Sequence, residues 1–184
     1  MSTDATIGAI VGVVRRVNRG FASAAGVAIL LMMLAGALDV ISTNVNLIGL
    51  DSRPVPSTNE FMATMMVAAV FLGIPLAQQR RAHIQVTVAH LVESHFRRPI
   101  EAMRHLLHGL FYALIGWFGW SVAAHAVTTG EFAAGLVDFP IWPARLALAV
   151  GATAMTLQCL VDFIGVFDAR FRVPDDRADA PVSH

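Results

Sequence analysis

The sequence contains no lysine, and its thirteen basic residues are all arginine. Thirteen acidic residues balance them, so the formal net charge is zero and no basic excess indicates a nucleic-acid partner. Cysteine is nearly absent as well. The single thiol, Cys159, excludes an internal disulfide and any cysteine-based metal cluster, and its apolar surroundings are typical of a small core residue.

Charged residues of either sign are also scarce. They make up 14% of the chain, whereas a soluble domain carries about 25%. Hydrophobic residues account for 56%, and the mean hydropathy is +0.63. These values predict an all-α integral membrane protein with little sequence left for a soluble domain.

Four apolar runs are long enough to cross about 30 Å of hydrocarbon as helices. They form one predicted membrane domain over residues 1–167, with spans at about 21–41, 60–77, 103–127 and 143–167. Pro99 is predicted in the first turn of the third helix and Pro143 at the start of the fourth, where a missing N–H costs little. Residues 168–184 form a charged tail with too few apolar residues to fold alone.

The placement of arginine predicts the orientation of these spans. The loops that follow the first and third spans contain only Arg53 between them. Eleven other arginines lie before the first span, between the second and third, or after the fourth: Arg15, Arg16, Arg19, Arg80, Arg81, Arg97, Arg98, Arg104, Arg170, Arg172 and Arg177. Because positive residues favour the cytoplasmic side, both termini and the tail are predicted to be cytoplasmic.

The segment after the second span is predicted to lie along the membrane surface. Residues 83–96 are too short and too polar to span, and they follow the basic pair Arg80 and Arg81. Five apolar residues fall on one face at helical spacing: Ile84, Val88, Leu91, Val92 and Phe96. We therefore predict an amphipathic interfacial helix on the cytoplasmic side, with Arg81 and His83 at its start.

Glu60, at the start of the second span, has three possible roles. Ser57 and Glu60 match the Ser-x-x-Glu capping box, which favours a role in helix capping. Glu60 or Asp39 could instead form an ion pair with Arg145, because all three are predicted at the same outer side. Coupling to a proton or cation is the third interpretation. Asp162, near the opposite end of the fourth span, is predicted to be solvated.

The histidine pattern does not favour a cofactor. A haem between membrane helices needs axial ligands from packed helices, yet within the spans histidine occurs only in the third, at positions 105, 108 and 125. His105 and His108 are better interpreted as interfacial residues. Trp142 suits the aromatic belt at the outer start of the fourth span. No nucleophile–base pair, phosphate loop or metal-ligand spacing occurs, so neither an enzyme nor a cofactor is predicted.

Besides four predicted spans with both ends inside, the chain contains a set of short characteristic segments: Glu60, Phe71-Leu72-Gly73, Arg81-Ala82-His83-Ile84-Gln85-Val86, Pro140-Ile141-Trp142 and Gly151. Together they resemble the small membrane subunit, the DctQ type, of the tripartite ATP-independent periplasmic (TRAP) transporters. The resemblance covers nearly the whole chain, and the His-Ile-x-Val sequence after the second span is its most specific part. In this family Gly often precedes that His and Asp follows the Val, where this chain has Ala82 and Thr87.

The resemblance implies a role in secondary, ion-driven uptake across the bacterial inner membrane. In such systems a large multi-span subunit carries substrate and sodium, and a periplasmic solute-binding protein delivers the substrate, often a carboxylate or sulfonate. The small subunit is a scaffold that steadies the large one. No cofactor is expected, and membrane lipids are expected to contact the subunit as well. Two alternatives remain: a self-sufficient four-helix proton-coupled transporter and an electron-transfer membrane anchor.

Overall fold

Four long helices make up most of the structure, a computed structural model that describes residues 2–45, 55–80, 94–133 and 138–168. Side chains are described from residue 8 in the first helix and from residue 98 in the third. The helices are α1 (Ser2–Asn44), α2 (Thr58–Gln79), α3 (Ser94–Thr129) and α4 (Trp142–Phe167). Two short antiparallel strands, β1 (Phe132–Ala133) and β2 (Phe139–Pro140), lie between α3 and α4.

Each helix contains one predicted span and extends beyond it. All four have segments long and apolar enough to cross a membrane, with mean hydropathy between 1.4 and 2.3. Helix α1 is continuous from Ser2, so the residues before the first span are part of the same helix. Helix α3 begins at Ser94, and the prediction that Pro99 opens it is wrong, since Pro99 lies inside the helix. Pro143 lies in the first turn of α4, as predicted.

The helices pack in a row rather than in a closed bundle. Helix α1 packs along α2, α2 along α4, and α4 along α3, whereas α1 meets α4 only slightly. Among the described residues, α1 and α3 share no comparable contact and form the two edges of the row. Helices α2 and α4 lie inside the row, and α4 has the largest buried share of the four spans, at 44%. The row therefore leaves two broad apolar faces, one on α1 and one on α3.

Small residues make the closest helix contact possible. Gly151 of α4 lies directly against the main-chain carbonyl of Phe71 in α2, and a Cβ atom at this position would overlap that carbonyl. The spacing of Ala147 and Gly151 predicts such a close approach, because apolar burial no longer drives association in lipid. Gly26, in a similar pair on α1, has no neighbour within 4 Å of such a Cβ. Only some of the small-residue pairs therefore mark helix contacts.

The predicted interfacial helix falls mainly outside the described residues. Of its residues 83–96, only 94–96 are described, and they belong to the first turn of α3. An interfacial helix before that turn stays a prediction.

Candidate functional sites at the two ends of the helix row

A cluster of carboxamide side chains joins three helices near one end of the row. We call Asn18, Gln78, Gln79, Gln158 and Asp162 the amide cluster. The Nδ2 atom of Asn18 on α1 donates to Oε1 of Gln158 on α4 at 2.7 Å and to Oε1 of Gln79 on α2 at 3.1 Å. Asp162 accepts from Nε2 of Gln158 at 2.9 Å and from Nε2 of Gln78 at 3.2 Å.

The amide cluster is largely shielded from solvent. Asn18 and Gln158 each expose 1% of their surface, and Gln78 exposes 8%. Buried amides are costly without partners, because each retains polar groups that water no longer satisfies. Here the amide of Gln158 both accepts from Asn18 and donates to Asp162, so it links α1 to the carboxylate of α4. The arrangement fixes the relative positions of α1, α2 and α4.

The amide cluster corrects one prediction and was otherwise missed. Asp162 is not simply solvated, because it accepts hydrogen bonds from two glutamine side chains. A signal was present in the sequence: Gln158 interrupts an apolar run and lies four residues before Asp162, which puts the two on one helix face. The partners on α1 and α2 carried no such signal, because polar residues at the ends of spans are ordinary.

Helix α2 begins without the predicted capping box. Ser57 occupies the N-cap position, but its backbone is left-handed, at φ 60° and ψ 20°, and its side chain makes no capping hydrogen bond. The capping hydrogen bond that defines the box is not formed, so the predicted role of Glu60 in the box is wrong. Asp39 of α1 instead holds the segment just before α2, because its Oδ1 accepts a hydrogen bond from the backbone N–H of Val55 at 3.0 Å. A carboxylate near a helix N-terminus is also electrostatically favourable.

The connection between α3 and α4 is built around a glycine. Gly130 adopts φ +61°, and the N–H of Glu131 donates to the carbonyl of Ala126 at 3.3 Å, which is the Schellman pattern that ends a helix. The two strands that follow pair Phe132 with Pro140. This short hairpin, where the sequence indicated only a loop, returns the chain to the start of α4 and brings Glu131 beside it.

Three charged or titratable side chains meet at this hairpin, and we call them the loop cluster. Glu131 accepts from Nδ1 of His125 at 2.8 Å through Oε1 and pairs with Nη1 of Arg145 through Oε2. The hydrogen bond from His125 is the largest cause that lowers the pKa of Glu131, and Arg145 lowers that pKa further, while loss of solvation acts in the opposite direction. The prediction that Arg145 pairs with Glu60 or Asp39 is therefore wrong. The hairpin, which the sequence did not reveal, supplies a nearer carboxylate.

The structure brings together few of the residues predicted to matter. Glu60 lies half-buried in the first turn of α2, and Trp142 begins α4 with 42% of its surface exposed. Arg145 belongs to the loop cluster. Arg81, His83, Ile84, Val88 and Leu91 lie outside the described residues. His105, predicted at the interface, is buried with 8% exposure. Its Nε2 atom lies 3.3 Å from Nη2 of Arg104.

Neither cluster has the composition of a metal centre. Within the described part of the chain, no group of three or more His, Cys, Asp or Glu residues could hold a metal ion. The clusters contain amides, one paired carboxylate each, an arginine and a histidine, all engaged in holding helices or the hairpin. These hydrogen bonds and ion pairs hold the helices and the hairpin together.

These features define a class of protein: an all-α integral membrane protein with four spanning helices, held by the amide cluster near one end and the loop cluster near the other. Residues 32–169 match the family described as tripartite ATP-independent periplasmic transporters, DctQ component. The match covers most of the chain, so the protein belongs to the DctQ component family, which is a family of transporter components and not of enzymes. Comparison with curated proteins gave no match, and comparison with solved structures gave none either.

Proposed function

We propose that the protein is the small scaffold subunit of a secondary TRAP transporter in the bacterial inner membrane. It binds the large membrane subunit, which carries a small organic acid and is driven by an ion gradient, with sodium as the coupling ion. A periplasmic solute-binding protein delivers that acid. The observation that carries the proposal is the family match over residues 32–169, which includes all of α2, α3 and α4.

The arrangement of polar groups supports a scaffold rather than an independent transporter. A proton-coupled transporter needs an ionisable group available within the bilayer. Asp39 and Asp162 lie near helix ends and are engaged by Val55 and by two glutamines respectively. Both therefore contribute to fixing the helices, and a fixed row of helices suits a subunit that steadies a moving neighbour.

The predicted interfacial helix extends the same proposal. Ile84, Val88 and Leu91 would rest on lipid or on the large subunit, while Arg81 and His83 would sit near the lipid headgroups. Such a helix widens the footprint of the subunit and resists displacement in the membrane. Trp142 would anchor the opposite interface.

Co-purification tests the proposal. An affinity-tagged chain expressed with the large subunit of the same transporter should retain it in detergent, and the large subunit purified alone should unfold at a lower temperature. An unrelated tagged protein with four spans is the control for nonspecific retention. A large subunit that is equally stable and equally active without this chain would refute the scaffold role.

A further inference from the structure

One face of α3 exposes three large aromatic side chains at membrane depth. Trp117 is 78% exposed, Phe118 is 64% exposed and Phe111 is 58% exposed. Together with Leu114 they occupy a roughly 120° arc of the helix at 3.6 residues per turn, and we call these four residues the aromatic face. The corresponding edge of the row on α1 is aliphatic, with Leu30, Leu31, Met33, Leu34 and Leu38 exposed.

Trp117 has a polar group that nothing in the described chain satisfies. It lies close to the midpoint of the predicted span 103–127, whereas membrane tryptophans are enriched at the interfaces. The indole N–H of Trp120, three residues later, donates to Thr153 at 3.0 Å. The indole of Trp117 makes no hydrogen bond to another described residue. Lipid tails offer no acceptor at this depth, so an unsatisfied N–H there is costly.

A groove runs beside the aromatic face, between α3 and α4. Its volume is about 430 Å³, and Leu114, Ile115, Phe118 and Leu148 contribute to its almost wholly apolar lining. Along α3 it extends from Phe111 to Val122, roughly 16 Å at 1.5 Å per residue. A groove of this kind accepts the side-chain ridge of a neighbouring helix.

We propose that the aromatic face binds a transmembrane helix of the large subunit, and this inference rests on the proposed function. Side chains of that helix fill the groove, and a hydroxyl or carbonyl oxygen on it accepts the indole N–H of Trp117. The three aromatic residues alone expose about 400 Å², taking roughly 200 Å² for a whole aromatic side chain. That is about half of the ~800 Å² that each partner buries in a stable interface.

The choice of a protein partner over lipid follows from chemistry. Lipid tails can cover the aliphatic face of α1 and can fill an apolar groove, but they cannot accept a hydrogen bond from Trp117. Aromatic residues, and tryptophan above all, are enriched among the residues that dominate binding energy at protein interfaces. The α3 edge of the row is therefore the docking edge, and the α1 edge faces lipid.

Site-specific photo-crosslinking tests this assignment in the intact complex. The photoreactive amino acid p-benzoylphenylalanine would replace Phe118 on α3 or, as the matched control, Leu34 on α1, which is 59% exposed. We expect a covalent adduct with the large subunit from position 118 and phospholipid adducts from position 34. Phospholipid adducts from position 118, or subunit adducts from position 34 alone, would overturn the proposal.

The hydrogen bond has its own test. Trp117→Phe keeps an aromatic ring and removes the N–H, so binding of the large subunit should weaken by roughly three- to fifteen-fold, from the measured range of interhelical hydrogen bonds in membranes. Thermal stability of the isolated chain should not change, because the side chain is exposed. Leu34→Ala should leave binding within about twofold. Equal binding by Trp117→Phe and the unaltered chain would overturn the hydrogen-bond part.

These outcomes separate the two proposals. If the complex co-purifies but position 118 gives no adduct with the large subunit, the proposed docking edge is refuted and the scaffold role is not. A chain that retains no large subunit under any condition removes both.

Discussion

The amide of Asn18 donates to the side-chain carbonyl of Gln158 at 2.7 Å, and these residues are 140 positions apart in the chain. Both side chains expose 1% of their surface. This contact joins α1 to α4, two helices that otherwise meet only slightly. This hydrogen bond therefore connects the α1 edge of the row directly to α4.

Removing the acceptor should loosen this connection. Gln158→Leu removes one of the two acceptors of Asn18 and one of the two donors to Asp162, and loss of buried partners of this kind typically costs about 1–3 kcal/mol of stability. Thermal or detergent-induced unfolding of the purified chain measures the loss. Asn44→Ala is the matched control, because that amide is exposed and, among the described residues, bonds to the carbonyl of Val40 in its own helix alone. Equal effects of the two changes would contradict the role of the amide cluster.

A double substitution makes the test more specific. If Asn18 and Gln158 act as a pair, replacing both by leucine should cost less than the sum of the single changes, since no polar group of this pair is then left unsatisfied. Strict additivity would show that the two side chains act independently.

Gly151 should tolerate no side chain. Gly151→Ala places a methyl group against the main-chain carbonyl of Phe71, so α2 and α4 must separate, and overpacking of this kind typically costs about 1–3 kcal/mol. Gly26→Ala is the control, because nothing lies within 4 Å of the added methyl and alanine favours a helix. Unfolding measurements that rank Gly26→Ala as the more damaging change would refute the packing of α2 against α4.

The loop cluster should make stability depend on acid pH. The pKa of Glu131 is lowered from its ordinary 4.5, first by the hydrogen bond from His125 and also by Arg145. A lowered carboxyl pKa stabilises the folded state above the ordinary value, and this contribution is lost as the pH falls through the lowered pKa. The difference in melting temperature between the unaltered chain and Glu131→Gln should therefore be present at pH 6 and shrink below pH 4.5.

Asp138→Asn is the control for that measurement. It removes an exposed carboxylate from the same connection between α3 and α4 without touching the loop cluster. A pH dependence that is the same for Glu131→Gln, Asp138→Asn and the unaltered chain would exclude the loop cluster as its source.

The predicted interfacial helix can be tested by placing charge on either side of it. Val88→Glu combined with Leu91→Glu should weaken retention of the large subunit and reduce uptake, because burial of each large apolar side chain contributes about 1.5–3 kcal/mol. The matched control, Thr87→Glu with His90→Glu, changes the side away from the apolar face at 3.6 residues per turn and should have little effect. Membrane insertion of the four spans should survive both. Indistinguishable behaviour of the two double variants would exclude an amphipathic docking helix.

Sequence reasoning identified the four helices because each contains a long apolar run, and that signal needs no tertiary contact. It also identified Pro143 as the start of α4, since its preference is local. It could not identify the partner of Arg145, because Glu131 reaches Arg145 only after Gly130 ends α3 and the hairpin turns back. The amide cluster was missed for a related reason: polar residues at separate helix ends reveal no packing order.

The capping box shows a different limit. Ser57 and Glu60 have the right spacing, but the box requires an extended backbone at the N-cap, and Ser57 is left-handed. Asp39, on the preceding helix, accepts a hydrogen bond from the N–H of Val55 in the segment just before α2. The local motif is not formed, and a residue of the preceding helix supplies an acceptor just before α2.

Reconstituted transport tests the scaffold role most directly. The chain alone, the large subunit alone and the two together would be placed in liposomes with the periplasmic binding protein, and uptake of a labelled organic acid would be followed under a sodium gradient. We predict uptake when both membrane subunits are present, none from this chain alone, and strongly reduced uptake from the large subunit alone. Uptake of the acid by this chain alone would contradict the account.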